Sequence, residues 1–173
     1  MTENLALSLI DSTRRGGVLP AVRMDDLALS FGALDDLTAH LAGLLRARGL
    51  SSGDRVGVML PNVPEFAIAY YGVMRAGGIV VPMNLLLKRR EVAFYLTDPD
   101  AKLVLTWHEF EQEAIAGAEE AGAECIVVRP GEFERLLADA GPWEVSKRQR
   151  RGTTRRGYTG TAIRAERVVF SQS

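Results

Sequence analysis

The sequence predicts an α/β fold: a mainly parallel, doubly wound sheet flanked by helices, followed by a basic C-terminal tail that we expect to be disordered. Short apolar runs alternate along the chain with segments of helical periodicity, and this alternation is typical of βαβ units. The runs are apolar at consecutive positions, as expected for strands that helices cover on both faces. Right-handed crossovers between such strands favour a three-layer sandwich.

The first predicted elements are a hairpin and a long helix. Two short, largely apolar segments, residues 22–24 and 27–31, flank an Asp-Asp pair that suits a two-residue turn. Leucines then recur at helical spacing within residues 33–49, where the last residue is a glycine of the kind that commonly ends a helix. The hairpin and this helix therefore precede the strands of the main sheet.

Four buried strands and four further helices follow, and prolines or glycines stand at most of the boundaries between them. The strands are predicted at residues 55–60, 79–81, 103–105 and 125–128. The helices are predicted at residues 64–77, 91–96, 109–121 and 133–137. A folded core is therefore expected over residues 20–140.

Charge is distributed unevenly along the chain. The 173 residues carry a net charge of -1, yet residues 144–173 hold eight basic and two acidic side chains. We therefore divide the chain into a domain at residues 1–143 and a basic tail, with disorder or weak order from about Val145 onward. The tail could contact the phosphates of a nucleic acid, but it lacks a recognisable reading module, so we expect no nucleic-acid partner.

Composition and length exclude several classes of protein. A hydrophobic content of 47% and a charged content of 25% are typical of a globular domain. No apolar run approaches the roughly 20 residues of a membrane-spanning helix, and residues 1–9 lack the basic and apolar regions of a secretory signal peptide. We therefore expect a cytoplasmic protein. The lone Cys125 lies in an apolar run and is interpreted as a packing residue rather than a reactive thiol.

A basic cluster is the first candidate for ligand binding. Lys88, Arg89 and Arg90 follow the strand that Pro82 ends, and α/β sheets bind ligands near the carboxyl ends of their strands. Phosphate binding is one interpretation. The alternative is that these residues form the basic first turn of the helix that carries Glu91. The sequence contains neither a GxGxxG fingerprint nor a GxxxxGK(S/T) phosphate loop.

The other polar residues predict no catalytic or metal site. Neither His40 nor His108 has a partner at a spacing typical of metal ligands, so we interpret both as ordinary surface or boundary residues. Five glutamates are spread over the helix predicted at residues 109–121, as expected for a solvated surface.

Five short motifs occur in a fixed order along the chain. They are LSFGAL at residues 29–34, GDRVGVMLPN at 53–62, PEF at 64–66, AGGIVVPMN at 76–84, and Glu91 followed by YLTD at 95–98. Their order and spacing resemble the adenylate-forming superfamily, which includes acyl- and aryl-CoA synthetases, firefly luciferase and nonribosomal adenylation domains. The resemblance covers roughly residues 22–137, is nearest to the fatty acid CoA ligases, and identifies residues 1–143 as a partial N-terminal AMP-binding domain.

The resemblance implies a chemistry and its cofactors. Such enzymes activate a carboxylic acid, here a fatty acid, with ATP and Mg²⁺ to an acyl adenylate, and then pass the acyl group to coenzyme A. They cradle pyrophosphate with a Ser/Thr/Gly-rich loop that ends in Lys-Gly. At the corresponding place, residues 157–163 (GYTGTAI) lack the second of the glycines that the family's loop carries, and they lack its Lys-Gly ending. We therefore expect a truncated N-terminal part of a fatty acyl-CoA synthetase, inactive alone, that binds none of these cofactors productively.

The resemblance also bears on the basic cluster. Many family members have a basic residue near the coenzyme A phosphates at the position that is Leu86 in this sequence. Lys88 or Arg89 could take over that contact with coenzyme A. The alternative function is a non-catalytic, flavodoxin-like binding or interaction module, which could self-associate through an apolar face that the rest of a full-length synthetase would cover.

Overall fold

The computed structural model describes residues 5–143 and Val145, which form six α-helices, one 3-10 turn and two sheets. The helices are α1 (Leu5–Gly16), α2 (Phe31–Ala47), α3 (Pro64–Arg75), α4 (Arg89–Thr97), α5 (Glu111–Ala121) and α6 (Glu132–Asp139), and the 3-10 turn is His108–Phe110. The strands are β1 (Pro20–Met24), β2 (Leu27–Ser30), β3 (Arg55–Met59), β4 (Ile79–Pro82), β5 (Ala101–Trp107) and β6 (Glu124–Val128).

The main sheet has four strands in the order β4-β3-β5-β6, and all three neighbouring pairs are parallel. At the centre of the sheet, Val56 pairs with Val80 on one side and with Leu103 on the other. The predicted parallel α/β sheet is therefore confirmed. The spatial order of the strands within the sheet was not predicted from the sequence.

Helices cover both faces of this sheet. On β3, Val56 and Val58 point into a core shared with α1, α2, α3 and α6, whereas Met59 belongs to a second core under α4 and α5. All three side chains are almost completely buried. Burial on both faces explains why the strand is apolar at consecutive positions, and it confirms the doubly wound, three-layer arrangement.

The boundaries of the long helix α2 follow from local chemistry. The Ser30 hydroxyl accepts a hydrogen bond from the Ala33 N–H at 3.2 Å and so caps the helix. Gly49 lies just beyond the other end with φ of 86°, a backbone conformation that glycine adopts at little cost. The predicted hairpin is also present as a separate two-stranded antiparallel sheet, β1-β2.

Helix α1 was missed by the sequence analysis, which assigned no element before residue 22. Its buried residues, Ala6, Leu9 and Ile10, lie on one face and pack toward α2 and α3. The core therefore begins before residue 20. At the other end, Val145 is 5% exposed, and the remainder of the predicted basic tail lies outside the described residues.

Two smaller differences concern the start of helices. Helix α4 begins at Arg89, two residues earlier than predicted, and a 3-10 turn precedes α5 where one continuous helix was expected. Within the described part of the chain, the helices are too short or too polar to cross a bilayer.

Candidate functional site

The strand order defines one special position at the carboxyl edge of the sheet. From β3 the chain passes through α3 to β4 on one side, whereas β5 lies on the other side of β3 and leads on to β6. Open α/β sheets bind ligands where the strand order reverses in this way, here between the carboxyl ends of β3 and β5. The residues at this position are 60–65, which follow β3, and His108, which follows β5.

The segment after β3 leads directly into α3. Val63 precedes the helix without a side-chain cap, and Pro64 occupies its first turn. Burial raises the pKa of Glu65 above its ordinary value, and nearby Glu134 adds to this effect, although a backbone hydrogen bond opposes it. A carboxylate in the first turn of a helix complements the helix dipole, and the partial desolvation of Glu65 opposes that benefit.

The two histidines lie in different parts of the fold. The ring of His108 lies beside that of Trp107, with 4.9 Å between the centroids. His40 is half-buried on α2, where its Nδ1 lies 2.6 Å from the Ala140 carbonyl and 3.1 Å from the Leu137 carbonyl. His40 therefore binds backbone at the end of α6.

Lys88 and Arg89 lie at the start of α4, in agreement with the reading of a basic first turn. Lys88 Nζ is 3.5 Å from a carboxylate oxygen of Glu113, and Arg89 Nε donates to Glu120 at 2.9 Å. Because Glu113 is in the first turn of α5, the loop after β4 brings Lys88 to the helix that follows β5. Both basic side chains remain more than half exposed.

Three of the five glutamates predicted as a solvated surface take part in ion pairs. Besides Glu113 and Glu120, Glu111 accepts a hydrogen bond from Arg129 at 2.9 Å. The acidic face of α5 is therefore a pairing surface for basic residues on neighbouring elements, and not simply a solvated face. The pairs are partly exposed, so each contributes little to stability.

Arg75 is a polar residue that the sequence analysis overlooked. It is 4% exposed, and its guanidinium forms an ion pair with Asp35 at the start of α2. Its Nε also donates to the Trp143 carbonyl at 3.2 Å. A basic residue in the last turn of a helix is usually solvated, and nothing in the local sequence indicated burial.

Among residues 5–143 and 145, there is no group of three or more histidine, cysteine or acidic side chains that could hold a metal ion. Residues 157–163 lie outside the described part of the chain.

Comparison with known proteins shows the family to which this chain is related. The family model for AMP-binding enzymes matches residues 11–166, most of the chain. A long-chain-fatty-acid–CoA ligase of Bacillus subtilis (strain 168) is 40% identical over 98 residues, which are 57% of this chain and 18% of that relative. The chain thus spans less than a fifth of this relative's length.

Solved structures agree on the fold. A benzoate CoA ligase from Burkholderia xenovorans LB400 superimposes with a TM-score of 0.77 at 24% identity, covering 84% of this chain and 30% of that one. The N-terminal domain of FACL13 from Mycobacterium tuberculosis gives a TM-score of 0.72 at 25% identity, with 81% and 36% covered. The chain belongs to the family of AMP-binding enzymes and corresponds to part of the N-terminal domain of that fold.

Proposed function

We propose that this chain is part of an ATP-dependent acyl-CoA synthetase of the cytoplasm. It would supply the first α/β unit of an enzyme that joins a carboxylic acid to coenzyme A through an acyl adenylate. The observation that carries this proposal is the family match over residues 11–166. The names of the relatives, which are acid–CoA ligases, support it.

For the acid itself, we favour a fatty acid. The Bacillus relative, at 40% identity, is a long-chain-fatty-acid–CoA ligase. The benzoate ligase shares the same fold at 24% identity, so the fold alone does not select the acid.

We further propose that the chain is catalytically inactive by itself. Acyl activation moves negative charge onto phosphate and carbonyl oxygens, and oriented donors must stabilise that charge. Residues 157–163 lack the second of the glycines that the family's loop carries, and they lack its Lys-Gly ending.

The test is pyrophosphate release by the purified chain with ATP, Mg²⁺ and fatty acids of several lengths. We expect no release above a blank without enzyme, with a full-length synthetase as the positive control. Turnover that depends on the fatty acid would disprove the inactivity but support the family chemistry.

Lys88 and Arg89 are our candidates for contacts with the phosphates of coenzyme A. A guanidinium has five N–H donors, and Glu120 uses only the Nε–H of Arg89. We expect calorimetry to detect weak coenzyme A binding that is lost in the double variant Lys88→Ala/Arg89→Ala. Replacing the exposed Arg14 by Ala is the matched control, and equal binding by all three proteins would refute the site.

The second candidate function is a non-catalytic interaction module that self-associates. Its support is the exposure of two large apolar side chains near α4, Leu86 at 76% and Phe94 at 64%. Light scattering across a concentration series tests it: we expect a dimer that Phe94→Ser converts to monomer. A monomer at all concentrations would contradict this function and leave the synthetase proposal intact.

A further inference from the structure

The segment that follows α6 has no helix or strand of its own, yet its backbone is bound to α2 and α3. The Trp143 N–H donates to the Ala39 carbonyl at 2.9 Å, and the Trp143 carbonyl accepts from Arg75 Nε at 3.2 Å. His40 Nδ1 lies 2.6 Å from the carbonyl of Ala140. We call residues 140–143 the strap.

The strap lies directly against the backbone of α2 at one glycine. A Cβ added to Gly43 would be 1.8 Å from the Gly141 carbonyl oxygen, so any larger residue would push the strap away. The opposite glycine is not constrained, because a Cβ on Gly141 would meet nothing within 4 Å. Gly43 therefore permits a contact that other residues would prevent.

The side chain of the strap's tryptophan is held less completely. The guanidinium carbon of Arg46 lies 4.9 Å from the centroid of the Trp143 ring, a cation–π contact. However, the buried Arg46 Nη1 and Trp143 Nε1 have no hydrogen-bond partner among the described residues. Buried donors without acceptors cost free energy, so these two N–H groups oppose closure of the strap and offset part of the cation–π attraction.

Arg75 couples the strap to the interior. The same buried guanidinium binds Asp35 through Nη1 and the strap carbonyl through Nε. When the strap leaves, the Nε–H loses its acceptor and water reaches the ion pair. Closing the strap therefore completes the hydrogen bonds of Arg75.

We propose that the strap is a latch that opens and closes without unfolding the sheet, and that Arg75 is the positioning residue that closes it. When closed, the latch holds residues 140–143 against α2 and α3. Its importance for catalysis rests on the proposed function, since residues 157–163, compared above with the pyrophosphate loop, follow the strap in the sequence.

Hydrogen exchange and tryptophan quenching on the full chain test the latch. In the wild type, we expect the Trp143 amide to exchange through a local opening that urea barely affects, whereas amides of β3 and β5 exchange only on global unfolding. In Gly43→Ala, we expect Trp143 exchange to accelerate by about tenfold or more and acrylamide quenching of Trp fluorescence to rise, while the sheet amides stay protected.

Gly141→Ala is the matched control, because it adds the same methyl group on the other side of the contact. We expect it to behave as the wild type. If Gly43→Ala cannot be purified, Arg75→Lys replaces it, since lysine keeps the charge beside Asp35 but lacks the Nε–H of a guanidinium.

Two outcomes would overturn the latch. The first is equal exchange of the Trp143 amide in Gly43→Ala, or in Arg75→Lys where it replaces that variant, and in Gly141→Ala. The second is simultaneous loss of protection in the strap and the sheet, which would make the strap part of the cooperative core. These readouts involve no nucleotide or turnover, so they are independent of the assay for the synthetase function.

Discussion

Arg75 and Asp35 form an ion pair across the interface of α2 and α3, in which the guanidinium Nη1 donates to the carboxylate. The same Nη1 donates to the Asp35 carbonyl at 3.1 Å, so one nitrogen binds both the side chain and the backbone of its partner. The Arg75 side chain is 5% exposed and that of Asp35 is 23% exposed. A charge this deeply buried is tolerated only while its partners are present.

Replacing Arg75 by Met should therefore destabilise the protein. We expect a loss of roughly 3 to 5 kcal/mol in the free energy of unfolding, because the carboxylate of Asp35 would lose its counter-charge in a partly buried place. Urea unfolding followed by circular dichroism measures this loss. The double variant with Asp35→Asn should lose less than the sum of the two single changes.

The control for this prediction is an exposed ion pair. Arg14 pairs with Asp11 at 3.3 Å, and both side chains are about 60% exposed. Arg14→Met should change stability by less than about 1 kcal/mol. A similar small effect for Arg75→Met would show that the buried pair does not contribute as argued.

The sequence predicted the layers of the fold because burial leaves a direct pattern. Val56 and Val58 face one core and Met59 the other, so β3 had to be apolar at each of these positions. Strand order was not predictable, since nothing in a short apolar run says on which side of β3 the next strand lies. Helix α1 was missed because its buried stripe is short: Ala6, Leu9 and Ile10 are buried, while Ser8 and Asp11 are exposed on the other side of the helix.

The candidate site was predictable only in part, because tertiary contacts decide which groups are available. The sequence placed Lys88 and Arg89 after the correct strand, but their pairing with Glu113 and Glu120 depends on how α4 packs on α5. Arg75 is the opposite case. Its burial requires Asp35, which lies 40 residues earlier in the chain, and no local pattern reports such a partner.

Cys125 should react slowly with disulfide reagents. Burial raises the pKa of the thiol to about 11 from its ordinary value of 9.0, and the charge of Glu111 adds to the shift. Because the thiolate is the reactive form, we expect the native protein to react with Ellman's reagent near pH 8 about 100-fold more slowly than the urea-unfolded chain.

The same pKa shift has a consequence for stability. The folded state retains the thiol proton more tightly than the unfolded chain, so stability should fall as the pH rises from about 9 toward 11. Cys125→Ala should remove that part of the pH dependence. A native thiol that reacts as fast as the unfolded one would contradict the predicted burial.

Glu65 should give a pH dependence at the acidic end. Its folded pKa is raised above 4.5 mainly by burial, so the folded state binds the proton more tightly than the unfolded chain. Stability from this group is therefore fully present below pH 4.5 and is lost as the pH rises through the folded pKa. Glu65→Gln should be more stable than the wild type at pH 7 and lose that advantage at pH 4.

Urea midpoints of both proteins at the two pH values measure this effect. Glu119→Gln, an exposed change on α5, controls for the general loss of a negative charge. An equal advantage of Glu65→Gln at both pH values would rule out the titration of Glu65 as the cause.

Gly117 should be intolerant of even a methyl group, because α5 approaches α4 closely at this residue. A Cβ on Gly117 would lie 2.6 Å from Val92 Cβ and 2.8 Å from the Arg89 carbonyl oxygen. Helix propensity alone would favour alanine over glycine by about 1 kcal/mol. Overpacking against a rigid β-branched side chain and a backbone oxygen costs about 1 to 3 kcal/mol, so we expect Gly117→Ala to be less stable than the wild type by about 1 kcal/mol.

Adding Val92→Ala distinguishes overpacking from other causes. In the wild type, that change leaves a cavity under α4, whereas in Gly117→Ala it also removes Val92 Cγ1, which lies 2.6 Å from the added methyl group, so the loss from both changes together should be smaller than the sum of the separate losses. Thermal unfolding of the four proteins measures this coupling. Because the Arg89 carbonyl is part of the contact, Gly117→Ala should also weaken the ion pair between Arg89 and Glu120. A Gly117→Ala variant more stable than the wild type would show that α4 moves aside freely, and the close approach would then not fix the position of the basic cluster.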